Sequence, residues 1–277
     1  MAHDHDAHEL EDHDRGLSHD LPTLLSRRRA LTLLGGAGLA AALAGCGVTS
    51  TGDSSGGSPT ASSAAGTASA GTEIPEETAG PYPGDGSNGV NVLTESGIVR
   101  SDITSSFGSA SGVAQGVPLT VELKVLDTGN GSAGLQGAAV YLWHCDRDGR
   151  YSLYSEGITQ ENYLRGVQET GSDGSVRFTS IYPAAYSGRW PHIHFEVYPS
   201  LEAATTASGK LRTSQLALPE DTCRLVYATE GYRQSLQNMA QTSLDTDNVF
   251  SDGYSLQLAT VTGTVTDGMT ATLNVPV

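Results

Sequence analysis

The run from Ile181 to Tyr198 constrains this chain more than any other stretch. From His192 onward it alternates strictly: Ile193, Phe195 and Val197 are apolar, and His192, His194, Glu196 and Tyr198 lie between them. Period two of this kind predicts a half-buried β-strand whose successive side chains point to opposite faces. His192 and His194 then share a face, roughly 6–7 Å apart along the chain, so both imidazoles can reach one metal ion. Pro191 ahead of them suits the first residue of a strand. Taken alone, the pair also reads as two solvated surface histidines.

The neighbours weigh on the metal side. Tyr186 lies upstream of the pair, and Arg189 places a positive charge near the same face. Further back, Asp146-Arg147-Asp148-Gly149-Arg150-Tyr151 follows a predicted strand and presents a second tyrosine after a turn. Two imidazoles and two phenolates make a hard, anionic donor set that favours a trivalent oxophilic ion, above all Fe(III).

Two runs resemble the intradiol ring-cleavage dioxygenases, non-haem Fe(III) enzymes that open catechols. One is Val140-Tyr141-Leu142-Trp143-His144-Cys145-Asp146 through Gly149-Arg150-Tyr151. The other is Tyr186-x-x-Arg189-x-x-His192-x-His194. The resemblance extends from about Glu77 to Gly263. It implies that Tyr151, Tyr186, His192 and His194 bind Fe(III), with Tyr186 the ligand that leaves when a catechol chelates the metal. It implies that Arg189 stabilises charge on the ring, that Gln215 hydrogen-bonds beside it, and that Tyr82 of Gly80-Pro81-Tyr82 lines the substrate mouth. The implied partners are a small catechol-type aromatic and O2, and the implied product is a cis,cis-muconate. Pro81-Tyr82-Pro83 also reads as a rigid packing segment, Tyr154 and Tyr163 are further phenols near Tyr151, and Trp190 reads as core. The chain departs from the best-known members in having no helical N-terminal dimerisation segment, which favours a monomer, and in its short interval between Tyr186 and His192. An extracellular β-sandwich module that binds aromatic polymer or carbohydrate without catalysis is the alternative, and it would not need the full set of two Tyr, two His and Arg189.

Composition supports the same fold. Thirty-four glycines, many Ser, Thr and Val residues and few helical runs favour an all-β domain, a sandwich of mostly antiparallel strands with long loops and one or two short helices. Leu119, Val121, Leu123 and Val125 alternate within Val117–Asp127 and predict a strand. Ala138–Cys145 is the next, Asp173-Gly174 joins a hairpin, Ser200–Lys210 is a polar loop, residues 219–242 hold the helical candidates, and residues 255–277 are closing strands. A net charge of −16 argues against nucleic acid as a partner.

The first quarter of the chain is organised differently. Residues 1–25 are a polar, histidine-rich n-region. Residues 26–45 run from Arg27-Arg28-Arg29 through an apolar stretch too short for a transmembrane helix. They are similar to a twin-arginine export signal, and Leu43-Ala44-Gly45-Cys46 is similar to a lipobox. The expectation is a protein exported by the twin-arginine route and held through lipidated Cys46 to the outer face of the plasma membrane, with an uncleaved N-terminal anchor as the other reading. Residues 46–76 read as a Ser/Gly/Thr-rich tether and residues 77–277 as the folded domain. Cys145 and Cys223 are left as an even pair in an exported domain, which permits a disulfide or two buried thiols.

Overall fold

The structure, a computed structural model, describes residues 71–206 and 209–277. The signal and Cys46 lie outside the described residues. Among those described, no helix is long and apolar enough to cross a membrane.

Two sheets make the domain. The first is built on β1 (Pro118–Asp127), which pairs antiparallel with β2 (Ala133–Gly134) and β5 (Ser175–Ile181) and parallel with β9 (Gly268–Pro276); β8 (Thr260–Thr264) closes the far edge. The second has the order β4–β3–β6–β7, all antiparallel, from Arg165–Glu169, Ala139–Trp143, His192–Tyr198 and Arg212–Ala217. Leu119, Val121, Leu123 and Val125 of β1 are buried against Val140, Leu142, Ile193, Phe195 and Val197 of the second sheet. Each such side chain contributes about 1.5–3 kcal/mol on burial. This is the all-β sandwich that composition and alternation predict.

Four details differ from the sequence expectations. Asp173-Gly174 does not close a hairpin within one sheet: β4 and β5 belong to different sheets, and residues 98–103 run between them, with Arg100 N–H donating to Val167 O and Ile103 N–H to Thr179 O. Within the expected polar loop, Leu201–Thr205 form a short helix, α1, because the Ser200 hydroxyl caps Ala203 N–H. Ile74, placed in the tether, is buried and donates its N–H to Pro276 O, so packing begins before Glu77. Finally, Cys145 and Cys223 are free thiols. They sit in different apolar clusters, where Cys145 Sγ faces Ala184 O and Cys223 Sγ faces the Tyr182 hydroxyl, so the disulfide is not formed.

The helices α2 (Glu220–Tyr227) and α3 (Arg233–Met239) match the helical candidates. They hold the chain that leads to the site: Tyr227 donates to Pro183 O, Tyr232 to Tyr182 O, and Asn238 to Ala185 O.

Candidate active site

Strand β6 is buried on both faces, not one. Its apolar residues face the core. Its polar residues point outward under a cover made of residues 77–98 and the loop after β3, where Tyr82, Val92, Leu93 and Tyr151 pack. Register then assembles a row across three strands: Trp143 pairs with His194, and His194 with Gln215. The Trp143 ring lies 4.9 Å from that of His194 at an interplanar angle of 5°.

The two histidines meet at their tips. His192 Nε2 is 3.1 Å from His194 Nε2, and the Tyr186 hydroxyl is 3.1 Å from His192 Nε2. His192 Nδ1 lies 2.5 Å from Trp190 O, which can only accept, so Nδ1 carries the proton and Nε2 presents a lone pair to the cluster. Burial, and after it the Arg189 charge, depresses the basicity of His192; burial and then His192 do the same for His194. Both rings are therefore neutral, the form in which imidazole binds metal.

Tyr151 reaches the same point from the loop after β3. There Asp146 N–H donates to Arg150 O, and Gly149 turns the chain at φ +83°, a conformation that favours glycine, where an added Cβ would stand 3.3 Å from Tyr186 Cβ. Asp146 O accepts from Ala184 N–H, joining this loop to the one that carries Tyr186. The Tyr151 and Tyr186 rings lie 6.0 Å apart, and those of Tyr151 and His194 6.2 Å. Tyr151 Oη is buried without a hydrogen-bond partner, and burial followed by the neighbouring Tyr186 holds its pKa well above the usual phenol value. Tyr154 and Tyr163 are committed elsewhere, to Asn88 and Asp146.

This donor set fits a strongly Lewis-acidic cation. A buried phenol with no partner and two neutral imidazoles whose Nε2 atoms converge are costly without an ion to bind them. Among the described residues no three of the His, Cys, Asp and Glu side chains gather as a metal site, so a metal here would depend on the phenols.

Arg189 is buried. Burial opposes its charge, but the Asp247 carboxylate outweighs this and raises its pKa. Its Nε donates to Asp247 Oδ2 at 3.0 Å and Nη2 to Gln215 Oε1 at 2.7 Å. Gln215 Nε2 in turn donates to Thr78 O. Asp247 also accepts from Trp190 N–H, Val249 N–H and Phe250 N–H. Trp190 is core, with its indole N–H on Leu218 O. Tyr82 lies across Tyr151, ring centroids 4.9 Å apart. Gly80, at φ +71°, brings backbone so near that an added Cβ would stand 3.3 Å from His194 Cε1.

The structure thus brings Tyr82, Tyr151, Tyr186, Arg189, His192, His194 and Gln215 together. Sequence reasoning missed Asp247, which sits in the run Ser243-Leu244-Asp245-Thr246-Asp247-Asn248 and is outwardly a solvated acidic turn. It missed Trp143 as the plate behind His194, which is placed there by the pairing of β3 with β6.

Residues 99–194 match the model of the Dioxygenase family, Dioxygenase_C. A chlorocatechol 1,2-dioxygenase of Rhodococcus opacus is 38% identical over 52 residues, 19% of this chain and 20% of that protein. A 6-chlorohydroxyquinol 1,2-dioxygenase of Cupriavidus pinatubonensis is 32% identical over 112 residues, 34% of this chain and 40% of that protein. The chain therefore aligns with less than half the length of these curated relatives. An intradiol ring-cleavage dioxygenase from Tetranychus urticae shares the fold at a TM-score of 0.58 and 24% identity, covering 74% of this chain and 94% of that one.

Proposed function

We propose that this chain, whose residues 99–194 match the Dioxygenase family on the fold of an intradiol ring-cleavage dioxygenase, is a non-haem Fe(III) enzyme that cleaves catechol-type diols between their hydroxylated carbons with O2. The observation that carries the reading is the convergence of Tyr186 Oη, His192 Nε2 and His194 Nε2 beside the unpartnered, buried Tyr151 Oη.

Tyr151, Tyr186, His192 and His194 would hold the ferric ion. When bound, ferric iron supplies a Lewis acid that draws electron density from a chelated diol and opens the ring to O2. The protein's share is positional. As a phenolate, Tyr186 would take up a catechol proton on Oη as it gives up its place on the ion; that oxygen lies 3.1 Å from His192 Nε2. Arg189 supplies a positive charge whose place is fixed by Asp247 on one side and Gln215 on the other, so that it can stabilise negative charge growing on the ring. Tyr82 forms a wall against which a flat substrate can rest.

The rest of the reading concerns location. The lipobox-like Leu43-Ala44-Gly45-Cys46 and the arginines before it support export by the twin-arginine route and a lipid anchor on the outer face of the plasma membrane; the enzyme is proposed to be a monomer. Intact-mass analysis of protein extracted from membranes tests this part: an N-terminus other than modified Cys46 rules out the lipoprotein. The activity is tested by product. One cis,cis-muconate formed per O2 consumed is expected from catechol, and its absence from fully iron-loaded protein sinks the assignment.

A further inference from the structure

Two arginines are buried near the site, and they are satisfied in opposite ways. Arg189 has the Asp247 carboxylate. Arg165, only 1% exposed, has no carboxylate partner among the described residues, yet all five of its N–H groups are used. Nε donates to the Ser152 hydroxyl at 3.1 Å. Nη1 donates to Pro83 O at 2.9 Å and to the Tyr141 hydroxyl at 3.0 Å. Nη2 donates to Tyr82 O at 3.0 Å and to Ser152 O at 2.9 Å.

Four of the five bonds go to two separate segments, and the fifth goes to Tyr141 of β3. Tyr82 and Pro83 belong to the strap whose aromatic ring lies on Tyr151; Ser152 directly follows Tyr151. Gly84, at φ +66°, lets the strap approach, since a Cβ there would stand 2.9 Å from Arg165 Nη1. On the other side, Leu153 and Leu164 adopt φ +73° and +57°, conformations that leucine avoids. Both are chain neighbours of the residues in this network, so the backbone is bent to bring Ser152 and Arg165 together.

We infer that Arg165 is a positioning residue that locks the Tyr82 strap and the Tyr151 loop into one register, so that a wall of the substrate pocket and a proposed metal ligand move as one body. This rests on the dioxygenase reading for its catalytic consequence but not for its mechanical content. A planar five-donor fork is needed, because a lysine ammonium offers three donors from one point and cannot bridge both segments.

The test is amide hydrogen exchange on the full-length protein, with and without Arg165→Lys. Exchange of residues 80–84 and 151–155 should accelerate together, by about tenfold or more, as expected for losing hydrogen bonds to a charged group. β1 and β9 should keep their protection. Acceleration of only one segment, of neither, or of the whole domain would overturn the inference. If Arg165→Lys does not fold, Tyr141→Phe removes one acceptor of the same fork and should loosen the same two segments together; independent loosening overturns the idea. In iron-loaded protein, Arg165→Lys should raise the KM for catechol about tenfold, and adding Tyr82→Ala to it should raise KM less than about twofold further. Fully additive effects would contradict the coupling. Absence of any turnover in the unsubstituted iron-loaded protein would instead count against the dioxygenase reading, and the exchange result would still decide the role of Arg165.

Discussion

On the face of the four-stranded sheet that meets the other sheet stand Val140, Leu142, Ile193, Phe195, Val197 and Leu216. On the opposite face stand Tyr141, Trp143, His192, His194, Glu196 and Gln215, and both sets are buried. The first face is stabilised by removal of carbon from water and asks for no partners. On the second, each buried polar atom must find a hydrogen bond or destabilise the fold. Most do: Glu196 accepts from Lys210 and Tyr198, Gln215 joins Arg189 to Thr78, and Tyr141 donates to Pro83 O. The exceptions gather around His194, where Trp143 Nε1, Tyr151 Oη and His194 Nδ1 have no partner. One face of the sheet therefore builds the fold. The other builds a site, with its unsatisfied atoms at the point where chemistry is expected.

That division can be broken by substitution. Phe195→Ala empties a buried ring from the inner face and should cost about 3–5 kcal/mol in denaturant unfolding while leaving the ferric colour per folded molecule unchanged. A cost below about 1 kcal/mol would mean that the inner face is not the core. Asp247→Asn strips the carboxylate from buried Arg189 and should cost about 3 kcal/mol. Turnover of catechol should fall with it, whereas the position of the visible band should hold, because Asp247 is not among the proposed ligands.

His144 sharpens the comparison, since it is the imidazole on the inner side, bonded to Ser180 of the other sheet through Nε2 at 2.7 Å. Burial pushes its pKa down to about 4. A folded value below the unfolded one, about 6.5, means that protons favour the unfolded chain. The stability is complete above about pH 6.5 and is lost as pH falls toward 4. Between pH 7 and 5 the native protein should therefore lose about 2 kcal/mol more than His144→Gln does, measured by paired denaturant titrations. Equal losses would remove His144 from the acid response. The smallest effect belongs to Gly80→Ala, about 1 kcal/mol from a left-handed backbone position. Its methyl group would press on His194, so the ferric band should shift even though stability barely changes.

The inner face was legible in the sequence, because alternation in β1 and β6 follows from burial alone. The residues that converge at the candidate site were legible too, since Tyr151, Tyr186, His192 and His194 fall in a recognisable order. Alternation could not reveal that the outer face of β6 is also buried: a polar strand face under a cover looks the same in sequence as one under water. The role of Arg165 has no sequence signal either, as its five acceptors are mostly backbone carbonyls. Asp247 was hidden by an acidic turn, and the parallel pairing of β1 with β9 joins strands too far apart in the chain for local pattern to show.

The central claim is a ferric site made from two phenols and two imidazoles. The most direct test is the visible absorption of the purified, ferric-loaded protein, recorded before and after anaerobic catechol and again once air is admitted. A coloured protein whose band moves with catechol and then returns as O2 is consumed is the predicted result. A protein that stays colourless after ferric loading would contradict the account at its centre.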